Sequence, residues 1–216
     1  MPDLSFRVDG AGAVQFAAAP LLRLDLRIDN APPEEAIHTV ALRCQIQIEA
    51  TRRHYTPDEQ TRLTDLFGEP DRRSRTLRSL LWTHVSLVVP RFTGSTVVEL
   101  QVPCTFDFNV AATKYFSAMA DGDLPLCLQF SGTVFYQGAD GGLQISPIAW
   151  DKEARFRLPV ASWREVMDAY YPNTAWLCLR RDIFDRLHAH KMRRGLPTWE
   201  QAIEELLTAA EETVPS

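Results

Sequence analysis

The stretch CQIQIEATRRHYT, residues 44–56, places a thiol, two guanidinium groups and an imidazole within thirteen positions. A cysteine acts as a nucleophile only in a partly exposed, electropositive setting that lowers its pKa. Cys44 instead shares one side of an alternating run with Leu42, Ile46 and Ile48, so the spacing predicts a core-facing thiol. Cys104 stands in the same register as Val102, Phe106 and Phe108, and the same expectation applies. The four cysteines, at 44, 104, 127 and 178, form no CxxC pair, and reduced thiols are expected.

The arginines offer a different chemistry. Arg52 and Arg53 end the opening run, and DRRSRTLR at 71–78 adds Arg72, Arg73, Arg75 and Arg78. Converging guanidinium forks would pair with a phosphate, a carboxylate or an acidic partner. The alternative is a solvated loop that answers the local acids. Aromatic residues cluster later, with Tyr170, Tyr171 and Trp176 beside Arg180 and Arg181, and Trp199 in GLPTWE. Trp, Tyr and Arg concentrate at binding hot spots, but aromatics also glue helical tails to cores. Arg52, Arg53, Arg72, Arg73, Tyr171, Trp176 and Trp199 are therefore the candidate partner-binding residues.

Metal and catalytic signatures are sparse. There is no HExxH, and His188 and His190, two apart on a helix, point to different sides. Cys104, Cys127 and His84 stand as candidates for a metal site assembled from distant strands. No GxSxG, Walker A loop or GxGxxG after a strand is present, so no catalytic residue is assigned and no cofactor is expected.

These residues sit on a strand-rich first part. Leu22, Leu24, Leu26 and Ile28 alternate with Arg23, Asp25, Arg27 and Asp29, and Val40 to Ile48 repeats the pattern, the period of sheets with one wet face. Further strands are expected at 4–8, 83–89, 96–108, 124–136, 143–149 and 153–159, with QGADGG at 137–142 as a hairpin connection. TPDE at 56–59 is a capping box with proline at the first helical position, and Gly68 a stop. SWRE at 162–165 and TWEQ at 198–201 are two more capping boxes. Helices are also expected near 111–119 and 182–194. The pattern predicts a mainly β protein with α: an antiparallel β-sandwich or partly open barrel over 1–160, with a helical insertion near 56–81 and a C-terminal helical subdomain, 161–216, packed on it.

Composition narrows the setting. The chain of 216 residues is 45% hydrophobic and carries a formal net charge of −5, which opposes general attraction to nucleic acid. The charge is uneven, since residues 51–94 hold eight Arg against five acids. The start, MPDLSFRVDG, does not resemble a secretory signal, and no apolar run approaches the length of a membrane span, so a cytoplasmic protein is expected.

CQIQIE followed by RR and Y, DLFGEP, VPCTFDF, KYF, FSGTVFY, and the tail pieces YYPN, WL, FDRL and GLPTWEQA resemble an uncharacterised bacterial domain family. Its members are often encoded beside the genes of high-affinity [NiFe] hydrogenases. The resemblance runs from about residue 4 to 207 and brings no reaction or catalytic residues. It implies support, assembly or maturation of a large metalloenzyme, with hydrogenase subunits or maturation factors as partners. A non-catalytic accessory or interaction protein is the expected function. Metal or cofactor handling through Cys and His residues, and chaperone-like holding of client chains, are the alternatives.

Overall fold

The computed structural model describes residues 1–105, 110–138, 141–174 and 177–213. In chain order the elements are β1 (Asp3–Ala13), β2 (Leu21–Ala31) and β3 (Ala36–Ile48), then α1 (Pro57–Arg62), α2 (Thr64–Phe67) and α3 (Arg73–Thr76). Next come β4 (Leu80–Val89), β5 (Phe92–Thr93), β6 (Ser95–Pro103), α4 (Val110–Ala118), β7 (Asp123–Gln137), β8 (Leu143–Pro147) and β9 (Glu153–Pro159). Three helices close the chain: α5 (Val160–Tyr170), α6 (Arg181–Arg194) and α7 (Trp199–Thr213).

The strands form two antiparallel sheets. The smaller has the order β1-β2-β6; the larger runs β4-β3-β7-β8, with β5 paired to β3 and β9 to β7. They face one another without closing into a barrel, so the sandwich is the form adopted. Alternation decides which side chains enter the core. Leu22, Leu24, Leu26 and Ile28 of β2, and Val40, Leu42, Cys44, Ile46 and Ile48 of β3, are all buried between the sheets. Phe6 of β1 stacks on Phe130 of β7 at 4.1 Å between ring centroids, one of the contacts that join the sheets.

Helices seal the sandwich margins. Phe116 of α4 meets Trp82 of β4 edge-on at 4.8 Å, and Trp163 of α5 at 5.3 Å. The capping box at 56–59 forms as expected, with Glu59 N–H donating to the Thr56 hydroxyl and Thr56 N–H donating to the Glu59 carboxylate. The SWRE box does not start its helix. β9 runs straight into α5 at Val160, whose N–H is taken by the Gly122 carbonyl, so Ser162 is already inside the first turn. Trp163, Val166 and Met167 are buried on one side of α5, with Tyr170 half-buried beside them. The QGADGG hairpin joins β7 to β8, with Gln137 opposite Leu143; residues 139 and 140 lie outside the described residues, as do 106–108 of the strand expected at 96–108.

The chain divides into two compact units, 1–173 and 174–216. Helix α5 belongs to the first, because it packs on β1, β2 and β9. Within the second unit, α6 and α7 form a helical hairpin; α6 ends at Gly195 in the left-handed region, and the Thr198 hydroxyl caps α7 by accepting from Gln201 N–H. Phe184, His188 and Trp199 cluster there, the Phe184 and Trp199 ring centroids 5.2 Å apart.

Candidate functional site

The opening run resolves into three environments. Cys44 is fully buried, and burial pushes its thiol up to about 12. Where β3 ends, Arg52 stays exposed and pairs with Glu49 at 3.1 Å. Arg53 turns inward and becomes structural. Its guanidinium donates to Glu59 Oε1 at 2.6 Å, to the Asp121 carbonyl at 2.5 Å and to the Asp123 carbonyl at 2.9 Å. The Glu59 carboxylate also accepts from Ala120 N–H at 2.9 Å. Burial alone raises the Glu59 pKa, but the Ala120 and Thr56 N–H groups and the Arg53 charge outweigh it, leaving a net lowering. One pair of side chains therefore ties the start of α1 to the segment between α4 and β7.

A hydroxyl pair lies beside it. Tyr55 and Tyr115 approach at 2.8 Å between their oxygens, and Tyr55 donates to the Ala50 carbonyl at 2.6 Å. Burial raises the pKa of both phenols, so each is a structural donor at neutral pH rather than a phenolate.

The other sequence-derived candidates are dispersed. Arg73 donates to the Gln60 and Gly68 carbonyls and to the Thr64 hydroxyl, holding α1 and α2 against α3, while Arg72 is exposed. Arg53 and Arg73 thus both anchor the insertion, at the neighbouring residues Glu59 and Gln60. Tyr171, after α5, packs against the sandwich core. Trp199 lies in the helical hairpin, with Lys191 Nζ 5.6 Å from its ring. Trp176 lies outside the described residues.

The three metal candidates are likewise apart. Cys104, just past β6, is buried and donates to the Val102 carbonyl; burial lifts its thiol to about 12. Cys127 sits on the outer side of the larger sheet and donates to Glu153 at 3.6 Å. Burial and the nearby Glu153 and Glu49 raise it to about 11. His84 is exposed on β4 and shares a hydrogen bond of 3.0 Å with Gln45. Among the described residues, no group of three or more His, Cys, Asp or Glu is arranged to hold a metal ion.

Sequence alone did not single out the outer face of the larger sheet. Cross-strand register stacks it in rows: Val88, Ala41 and Thr133; then Ser86, Arg43 and Ser131; then His84, Gln45 and Gln129. The last row is joined by hydrogen bonds, with Gln45 donating to Gln129 at 3.1 Å. Arg43 has no ion pair or side-chain hydrogen bond among the described residues. It lies in a shallow hollow lined by Ala41, Ser86, Val88, Ser131 and Gly132. The β7 backbone comes very close to β3 here. Gly132 takes a φ of +139°, and a Cβ at that position would overlap the Ala41 carbonyl oxygen. The face carries exposed apolar side chains near both edges, with Val88 of β4 72% exposed and Leu143 and Ile145 of β8 each 63% exposed. Alternation in β3 foretold an outward Arg43, but which residues flank it depends on pairing with β4 and β7.

Fold and surface together define an antiparallel β-sandwich with a helical insertion, whose larger sheet presents an unpaired guanidinium beside exposed apolar side chains. The chain belongs to a family of unknown function, DUF6084, whose model matches residues 1–215. No curated protein has a matching sequence. Among solved structures, the chain is similar to a candidate late embryogenesis abundant (LEA) protein studied in solution, at 16% identity and a TM-score of 0.33, over 74% of this chain and 72% of that one. It is also similar to a candidate ApaA protein from Bordetella pertussis, at 15% identity and a TM-score of 0.24, over 73% of this chain and 92% of that one. Among the described residues, no helix is long and apolar enough to cross a membrane.

Proposed function

We propose that this chain is a non-catalytic accessory protein that docks a protein partner on the outer face of its larger sheet. The observation that carries the reading is the unpaired Arg43, set among the Ser86 and Ser131 hydroxyls and bordered by exposed Val88, with exposed Ile145 further along the same face on β8. A guanidinium in such a setting recognises a carboxylate, and adjacent apolar side chains supply the area that holds it. The partner surface is thus apolar with an acidic residue at its centre. The hydrogenase-linked family that the sequence resembles points to a [NiFe] hydrogenase subunit or maturation factor, and to work in the cytoplasm.

The chain's reactive groups support a binding role over chemistry. Cys44 and Cys104 are buried thiols, and Arg53 and Glu59 are committed to holding the insertion. The test is affinity capture from native cells with the wild type and with Arg43→Glu and Val88→Asp variants. Recovery of hydrogenase subunits or maturation factors by the wild type, with loss of at least tenfold in folded variants, is expected. Equal recovery by all three, or none by the wild type at physiological salt, overturns the reading.

A further inference from the structure

An edge strand carries a row of unpaired backbone groups, and proteins guard such rows with charge or cover. β1 and β6 bound the smaller sheet; β4, β8 and β9, with the short β5, bound the larger. Most of these edges are guarded. β1 bears Asp3, Arg7 and Asp9, β6 bears Glu99, and β9 bears Glu153, Arg155 and Arg157. β4 is covered by α4, and β4 and β5 both lie against β6. β8 has neither defence. Residues 141–150, GGLQISPIAW, carry no charge, and Leu143, Ile145 and Trp150 are 63%, 63% and 95% exposed.

The ladder fixes which backbone groups of β8 are left over. Ile148 N–H donates to the Gly132 carbonyl at 3.0 Å and Gly138 N–H to the Gly142 carbonyl at 2.8 Å, one at each end of the pairing with β7. Hydrogen-bonded pairs alternate along an antiparallel ladder, so Gln144 and Ser146 turn their N–H and C=O groups to β7. Leu143 and Ile145 turn theirs away, and those groups have no partner among the described residues. Pro147 has no N–H to offer. The Leu143 and Ile145 side chains stand on the outer face, opposite Gln137 and Phe135, while Ser146 is buried on the inner one.

We infer that a second copy of this chain covers this edge, its β8 running antiparallel to the first with Gln144 on the two-fold axis. Leu143 of each copy then exchanges both backbone hydrogen bonds with Ile145 of the other, and the two side chains meet on the outer face. An axis at Ile145 would instead set Leu143 against Pro147, whose missing N–H leaves the Leu143 carbonyl unmated. The charge pattern also favours a second copy: an uncharged edge meets itself without like-charge repulsion and offers a charged segment nothing to pair with. The axis stands perpendicular to the sheet, so β4-β3-β7-β8 of one copy continues into the other. The Arg43 hollows face the same way, two strands in from the seam.

Full-length chains test this. Light scattering or sedimentation of the wild type is expected to give twice the mass of one chain. Ile145→Pro removes an N–H that β7 does not use, so this variant is expected to keep its circular dichroism while its association constant falls at least tenfold. Arg43→Glu is expected to remain dimeric, so this inference and the docking reading fail separately. Oxidation in a Cys178→Ser background reads the register. Gln144→Cys lies opposite its own copy, with Cα atoms about 4.5 Å apart, and is expected to join two chains; Leu143→Cys, more than about 7 Å from its copy, is not. Should Ile145→Pro unfold, the cross-link decides the matter. A monomeric wild type, a dimeric and folded Ile145→Pro chain, a monomeric Arg43→Glu chain, or cross-linking of Leu143→Cys as readily as Gln144→Cys overturns the inference.

Discussion

Replacing Glu59 by Gln isolates the charge that fixes the insertion. Glutamine at the third helical position keeps the reciprocal capping bond to Thr56 N–H, so the helix start itself is preserved. The Arg53 guanidinium, with only 9% of its side chain exposed beside a Glu59 that is 2% exposed, loses its counter-charge. Breaking a buried pair by removing one partner costs about 3–5 kcal/mol. The lower end applies, because the Asp121 and Asp123 carbonyls still accept from Arg53. About 3 kcal/mol corresponds to a fall in Tm of about 6–12 °C for a unit of this size. The Glu59 pKa is depressed in the fold, so its contribution is complete above the unfolded value near 4.5 and is lost as pH falls through the lower folded value. Urea unfolding of both proteins, followed by circular dichroism at a series of pH values, should show a gap of about 3 kcal/mol at pH 7 that closes on acidification. A gap under about 0.5 kcal/mol at pH 7, or one that persists unchanged in acid, would refute the reasoning.

Three further outcomes follow from the same geometry. Gly132→Ala should destabilise the sandwich by about 3 kcal/mol, from backbone strain and overlap with the Ala41 carbonyl, measured by the urea midpoint; a change below about 1 kcal/mol would mean that β3 and β7 part easily. A thiol reagent at neutral pH should modify the exposed Cys178 rapidly and the buried Cys44, Cys104 and Cys127 only on unfolding, so mass spectrometry showing rapid native labelling of Cys44 would contradict the core assignment. Tyr55→Phe removes the hydroxyl that bridges the Ala50 carbonyl and Tyr115 and should cost about 1 kcal/mol; an unchanged midpoint would show that water replaces it without loss.

Much of the architecture was legible in advance, and the reason differs from element to element. β2 and β3 were readable because alternation with one wet face is a two-residue signal needing no knowledge of the partner strand. The α1 start was readable because a capping box is local chemistry among four residues. The second box, SWRE, has the same residue types and fails, since the Gly122 carbonyl takes the Val160 N–H and α5 starts three residues earlier, with Pro159 at its cap. Tertiary hydrogen bonding outranked a local motif there.

The site divided along the same line. By itself the sequence determined which side chains of β2 and β3 are inward, and so that Cys44 is a core thiol, because pleat geometry depends only on the strand being a strand. Only the tertiary structure decided that Arg53 would be buried on Glu59 while Arg52, its neighbour, stays in water, and that Arg43 would stand between Ser86 and Ser131. Those outcomes depend on which distant segments arrive alongside, Asp121 to Asp123 in one case and β4 with β7 in the other. Side-chain direction is set within a few residues, whereas the partner of a charge is set by strand register across the whole sheet.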